Sequence, residues 1–327
     1  MILAGDIGGT NARLAFFDVA DGHFRLVSAS VFPSHEYSGL DQIVSKFVET
    51  SHLHPDAACF GVAGPVRNGR VEASNLPWVI ESRRLADELN LEKAMLINDL
   101  EANAWGIAAL DSKDVVALNK VKSTAVGNQA IISAGTGLGE AGMYWDGAKH
   151  HIFASEGGHS DFAPRNELEL DLFRYLSGRY GHVSYERIVS GPGLVNVFHF
   201  LRDTGRGTEP QWLTHEMSRT DPAAAISRAA LNGSCPLCEQ ALDLFVSVYA
   251  AEAGNLALKL MATGGVYLGG GIAPKMLPKL SGPLFMRAFL GKGRMQPLLE
   301  SVPVMVITND KAALMGAARC AVANGTR

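Results

Sequence analysis

The sequence predicts an α/β protein of two domains with a ligand cleft between them, and three observations predict it. The chain has 327 residues, more than one hydrophobic core usually organises. Short β-rich runs alternate with helix-periodic runs along it. A glycine-rich hairpin that opens the chain recurs at Gly135, as a duplicated domain would leave behind. The expected division puts 1–109 and 302–327 in a smaller domain and 110–301 in a larger one.

The opening segment reads as an antiparallel meander: Ile2-Leu3-Ala4, a turn at Gly8-Gly9, Ala12 to Asp18, a turn at Asp21-Gly22, then Phe24 to Phe32. Leu40, Ile43, Val44, Phe47 and Val48 recur at helical spacing, and the β-rich run Ala57 to Ala63 closes at Gly64-Pro65. A helix over Glu81 to Leu89 feeds the run Ala94 to Ile97, which ends at Asn98-Asp99 immediately before the apolar-periodic Leu100 to Leu110. From Gln129 the order strand, hairpin, strand begins again. Aligning Gly9 with Gly137 pairs Phe16 with Tyr144, Phe17 with Trp145 and Asp18 with Asp146. The following stretch is mostly helical to Thr263. Val266 to Leu268 then forms a strand closed by Gly269-Gly270-Gly271, and Val302 to Ile307 a strand before the Ala-rich helix Lys311 to Val322. That last pair is expected to return to the first domain.

Composition narrows the classes of function. Apolar residues make up 47% and charged residues 19%, the profile of a packed chain rather than a disordered one. A net charge of −4 offers no basic footprint for nucleic acid. The amino terminus lacks the basic lead and apolar length of a secretory signal. The apolar stretch Leu237 to Ala262 carries Glu239, Asp243, Glu252 and Lys259, which would be costly at membrane depth, so it reads as a buried core helix. Four scattered cysteines fit reduced thiols in a cytoplasm. Cys235 and Cys238 form C-x-x-C without a second ligand pair at zinc spacing and read as a helix N-terminus. The expectation is a cytoplasmic protein with neither a nucleic-acid nor a membrane partner.

Three glycine-rich segments carry phosphate chemistry. In Gly5-Asp6-Ile7-Gly8-Gly9-Thr10, glycine lets backbone N–H groups approach a phosphate, Thr10 adds a hydroxyl, and Asp6 can hold Mg²⁺ through water. An ordinary hairpin with a Gly-Gly turn has the same local sequence. Gly135-Thr136-Gly137 repeats the chemistry. A strand rather than a helix follows it, which argues against a dinucleotide fingerprint. Gly270-Gly271 after a strand suits close approach to a nucleobase or ribose.

Taken in order, these segments resemble the sugar kinase, actin and heat-shock ATPase superfamily, and within it the bacterial glucokinase family over nearly the whole chain. The match is carried by Gly5 to Arg13, Gly61-Val62-Ala63-Gly64-Pro65, Asn75-Leu76-Pro77-Trp78, Ile97-Asn98-Asp99, Gly135 to Gly139, Ser155-Glu156-Gly157-Gly158-His159 and Glu186 to Gly193. The resemblance implies two duplicated domains of the ribonuclease H-like actin/sugar-kinase ATPase fold around a central cleft. It implies ATP with Mg²⁺ as phosphate donor and D-glucose as acceptor. It also implies a homodimer, and it places Asn98, Asp99, Glu156, His159 and Glu186 around the sugar; Asn75 is a further candidate contact, although the neighbouring Pro77-Trp78 equally suits a buried turn. Zinc-containing relatives carry cysteines after the Glu-x-Gly-His segment; here Ser160-Asp161-Phe162-Ala163-Pro164 follows, with no cysteine before Cys235.

A hexose presents a ring of hydroxyls that carboxylates and amides can pair, and a site built to pair them rejects a sugar that leaves its polar groups unmatched. Asp99 precedes a helix and is a candidate N-cap; the resemblance makes it the base that accepts a sugar hydroxyl proton during phosphoryl transfer. Glu186 falls in a helix-like stretch, Ser184 to Val189, and as a lone signal equally suits a surface charge. Two alternatives stand beside a glucokinase: a kinase for mannose or fructose, and a sugar-sensing regulator without catalysis.

Overall fold

The computed structural model describes residues 1–20, 23–73, 76–121 and 126–325. They group into two compact units, Met1–Asp114 with Ile152–Ala154 and Asn309–Arg327, and Val115–His151 with Ser155–Thr308. The expected turn at Asp21-Gly22 lies outside the described residues.

The first unit opens with the expected meander, β1 (Ile2–Ile7), β2 (Asn11–Ala20) and β3 (His23–Pro33), and continues through α1 (Leu40–Ser51) to β4 (Ala57–Val62). Leu40, Ile43, Val44 and Phe47 form the buried stripe of α1, the i, i+3, i+4, i+7 pattern of a helix that covers a sheet. A small hairpin, β5 (Arg70–Glu72) with β6 (Val79–Glu81), precedes α2 (Ser82–Leu89), β7 (Ala94–Asn98) and α3 (Asp99–Ile107). The sheet order is β3-β2-β1-β4-β7, with β1, β4 and β7 parallel.

The second unit starts at β8 (Val115–Ala117) and repeats the meander as β9 (Gln129–Ala134), β10 (Leu138–Trp145) and β11 (His150–Ser155). Helices α4 (Glu167–Tyr180), α5 (Gly191–Asp203), α6 (Gln211–Met217), α7 (Pro222–Leu231) and α8 (Pro236–Leu260) follow. After β12 (Gly265–Gly269) come α9 (Leu277–Leu280), α10 (Pro283–Leu290), α11 (Gln296–Leu299) and β13 (Val304–Ile307). The order β11-β10-β9-β12-β13-β8 reproduces the first sheet strand for strand and adds β8 at one edge. Helix α8 is long and apolar enough to cross a membrane by length and composition, yet 78% of its most apolar window is buried. Its N-cap is Cys235, and Tyr249 and Phe245 sit in the core of this unit.

Two expectations need correction. Strand β13 pairs with β12 and β8, so 302–308 belong to the second unit and only the final helix, α12 (Ala312–Gly325), returns to the first. A β-rich run takes its place from the ladder that satisfies its backbone, which its own residues do not reveal. The duplication is also offset from the Gly9–Gly137 alignment. Ile7 pairs with Ala12 across four residues but Ala134 pairs with Leu138 across three. The second hairpin is one residue shorter, so Phe16 corresponds to Gly142, and Leu14 corresponds to Glu140.

Helix α12 lies against β1, β4 and α3, burying Leu314, Ala317, Ala318 and Ala321 with Ala4, Ala15 and Cys59. The crossing with α3 brings backbone against backbone. A Cβ at Gly316 would overlap the Ala102 carbonyl, and one at Gly106 the Ala312 carbonyl. We therefore expect Gly316→Ala to lower unfolding stability by about 3 kcal/mol, read from urea unfolding, because rigid backbone cannot yield to an inserted methyl.

Candidate active site

Because β1, β4 and β7 are parallel, their C-terminal ends open at one edge of the first sheet, where ligands bind in α/β folds. The turn after β1, the Gly64 turn after β4 and the Asn98-Asp99 junction after β7 meet this description. In the first of them, Gly8 N–H donates to the Asn11 carbonyl at 3.0 Å, Ser34 Oγ donates to the Gly8 carbonyl at 2.8 Å, and Thr10 is exposed. Asp6, one quarter exposed, faces Arg13 at 3.8 Å; burial pushes its carboxyl above the usual range and Arg13 draws it partly back. Gly5 and Ile7 are buried in the strand. A Cβ at Gly5 would stand 2.5 Å from the Phe60 ring, so Gly5 admits a core phenylalanine.

Asn98, not Asp99, is the N-cap of α3. Its Oδ1 accepts from Leu100 N–H at 2.8 Å, its backbone N–H donates to Glu101 Oε2 at 3.0 Å, and its Nδ2 donates to the Gly64 carbonyl at 3.1 Å. This is a capping box tied to a neighbouring turn. With the cap taken by Asn98, Asp99 occupies the first helical position, half-buried, its Oδ1 accepting from Leu100 N–H at 2.9 Å. The helix approaches closely because a Cβ at Gly61 would lie 2.7 Å from that of Ala102. Asn75 lies outside the described residues.

In the second unit the strand-end glycines also share one edge, since β9 and β12 are parallel. Gly135 has open space where a side chain would project and Thr136 is exposed. Gly270, at φ +79, takes a backbone conformation that suits glycine, and a Cβ there would overlap the Ala134 carbonyl; Gly271 is exposed with nothing near it. Glu186, on a 3-10 turn (Tyr185–Arg187) rather than a helix, reaches the hairpin: its Oε2 accepts from Leu138 N–H at 2.9 Å. A Cβ at Gly137 would stand 2.5 Å from that oxygen.

Glu156 and His159 flank a second 3-10 turn (Gly157–His159), and His159 stands between two carboxylates. Its Nε2 is 3.8 Å from Glu156 and its Nδ1 3.8 Å from Glu186. Glu156, His159 and Glu186 therefore form one polar cluster, half exposed, beside the Gly135–Gly137 hairpin. A ring of two carboxylates and an imidazole can pair the hydroxyls of a sugar.

Sequence reasoning missed two contributors. Glu101 completes the capping box, and the Asn98-x-x-Glu101 spacing was the available signal. Glu140 lies fully buried on β10 beneath the Glu156–His159 turn; burial, then Glu252, pushes its carboxyl up to about 8, against a lowering by Lys259. Its signal was a carboxylate between small residues in an apolar strand.

Two sheets of one topology, each with a glycine-rich hairpin at the end of its first strand, form the actin-like ATPase fold, and the glucokinase relatives make the chain an ATP-dependent hexose kinase. The chain belongs to the glucokinase family, whose model, Glucokinase, matches residues 3–324. It is 43% identical over 338 residues to a glucokinase from Nostoc sp., with 98% of each chain covered. To a glucokinase from Synechocystis sp. it is 41% identical over 344 residues, covering 98% of this chain and 97% of the other. The crystal structure of glucokinase from an Antarctic psychrotroph superposes with a TM-score of 0.84 at 33% identity, covering 99% of both chains.

Asn98→Ala removes the cap and the Gly64 bond together. We expect a loss of about 1–2 kcal/mol in unfolding stability, measured by chemical denaturation, with a larger loss than for Asn103→Ala, whose amide makes one bond to the Asp99 carbonyl.

Proposed function

We propose that the protein transfers the γ-phosphoryl group of ATP to the 6-hydroxyl of D-glucose, giving glucose 6-phosphate and ADP, with Asp99 as the base. The observation that carries this reading is the placement of Asp99 in the first turn of α3, at the sheet edge that also holds the Gly8-Gly9-Thr10 turn, next to an Asn98 bonded on three sides. Relatives named glucokinase at 41–43% identity over nearly the whole chain support glucose as the acceptor.

In the proposed step the glucose 6-hydroxyl gives its proton to the Asp99 carboxylate as its oxygen bonds to the γ-phosphorus, and the bond from that phosphorus to the β,γ-bridging oxygen breaks to release ADP. Asn98, Glu156, His159 and Glu186, with Asn75, orient the sugar. The Gly8-Gly9-Thr10 and Gly135-Thr136-Gly137 turns receive the phosphates, while Gly5 and Ile7 stay buried in the strand behind the first turn, and Gly270-Gly271 admits the nucleoside. Among the described residues no group of three His, Cys, Asp or Glu side chains is placed to hold a metal. Asp6 would hold Mg²⁺ through water; a nearby cation favours the charged carboxylate that burial disfavours. Bound Mg²⁺ supplies positive charge to the phosphoryl oxygens. A homodimer in the cytoplasm completes the proposal; light scattering should give twice the monomer mass, and a monomer mass would remove the dimer.

The test is ADP release over a panel of hexoses with Mg-ATP. Wild type should turn over glucose fastest, and Asp99→Asn should lower kcat by about 10²–10⁴-fold. Turnover of no hexose sinks the kinase reading, a faster rate on mannose or fructose replaces the sugar, and near-wild-type kcat in a folded Asp99→Asn removes the base.

A further inference from the structure

We propose that Glu140 is a positioning residue for sugar binding, holding Glu156 and His159 in place through its buried carboxyl beneath Gly157. This rests on the reading that those two side chains contact the sugar. Three observations on the same strand carry it.

The first is geometric. The opening residues of β10 form the platform under the polar cluster: Leu138 N–H donates to Glu186, the Leu138 carbonyl lies where a Cβ of Gly158 would be, and Glu140 Oε2 lies where a Cβ of Gly157 would be. Gly157 N–H is meanwhile held by Ser155 Oγ at 3.0 Å. The turn bearing Glu156 and His159 thus rests directly on the Glu140 carboxyl. A shift of that carboxyl is transmitted through rigid backbone contact.

The second is the duplication. Glu140 opposes Ile132 in the second meander as Leu14 opposes Gly5 in the first. Where the first unit packs leucine into its core, the second buries a carboxyl, 1% exposed. A buried carboxyl is costly unless it is satisfied, so packing alone does not call for it.

The third is its surroundings. Glu140 Oε1 has no hydrogen-bond partner among the described residues. From α8 it faces Glu252, Lys259 and Tyr249; Lys259 is bonded to Glu252 at 3.0 Å, and the Tyr249 hydroxyl donates to the Ile132 carbonyl at 3.2 Å. From the turn it faces the segment bounded by Glu156 and His159, and β9 contributes no titratable side chain. Tyr185 and Lys292 complete the network through Asn255, at 3.0 and 2.5 Å. The cation that faces Glu140, Lys259, is bonded to Glu252 and offsets only part of the cost of ionising Glu140. The group therefore carries its proton at neutral pH, and it ionises as pH rises through about 8. The neutral form, favoured by the fold, is lost in the alkaline direction, and ionisation pushes the carboxylate away from Glu252 and against the turn.

The experiment is the glucose KM at saturating ATP from pH 7 to pH 9, with circular dichroism at each pH to confirm folding. If only the neutral form binds well, wild-type KM at pH 9 should be about tenfold that at pH 7, with a smaller change in kcat. Glu140→Gln, which cannot ionise, should reduce that ratio below about two. Because burial also brings Lys292 to about 8, Glu140→Gln decides which group is responsible. A flat wild-type KM overturns the inference even where variants fail to fold, and so does an undiminished alkaline rise in folded Glu140→Gln. Glu156→Gln separates the underlying reading: an unchanged glucose KM there removes Glu156 from the sugar site, whereas a raised KM alongside a flat wild-type profile removes only Glu140.

Discussion

Backbone pressed against backbone, without an intervening methyl group, is the constraint on which the rest of this molecule depends. At the α3–α12 crossing it fixes the helix that begins with Asp99. At Gly158 over the Leu138 carbonyl it fixes the turn that carries Glu156 and His159. Each contact replaces flexible side chains with peptide groups whose positions follow from the ladders and helices around them. Side chains that must meet a substrate within a few tenths of an ångström gain most from such rigid seating.

Each unit then uses the same sheet differently. In the first, three parallel strands end at one edge, and the capping box at Asn98 ties the edge of β7 to the turn after β4. In the second, β10 is itself the platform, and Glu186 closes the hairpin by accepting the Leu138 N–H. The two sheets share one topology, and different residues at corresponding positions set the halves apart. The change from Leu14 to Glu140 is the clearest case, since it exchanges an apolar core contact for a buried acid.

Polar groups show which local signals can be trusted. Asp99 looked like a helix cap because aspartate before an apolar-periodic run usually is one. The cap is Asn98, because Glu101 at its N3 position and the Gly64 carbonyl both select the preceding residue, leaving the Asp99 carboxylate at the first helical position. Asn98-x-x-Glu101 was legible in advance; the Gly64 bond, spanning 34 residues, was not. Glu186 illustrates the converse. Nothing near it in the chain distinguishes it from a surface charge, and its meaning comes from a hairpin 48 residues away.

By itself, the sequence determined the fold class, the two glycine-rich hairpins, the strand-end Asn98-Asp99 pair and the resemblance to glucokinases. Those features depend on periodicity, turn chemistry and short motifs, which are local. Only the tertiary structure decided that β13 joins the second sheet, that the repeat is offset by a one-residue shorter hairpin, that His159 stands between Glu156 and Glu186, and that Glu140 lies beneath them. These depend on ladder register and on which residues the packing of α8 leaves buried together. Register and packing join positions far apart in the chain, where no local pattern records the contact.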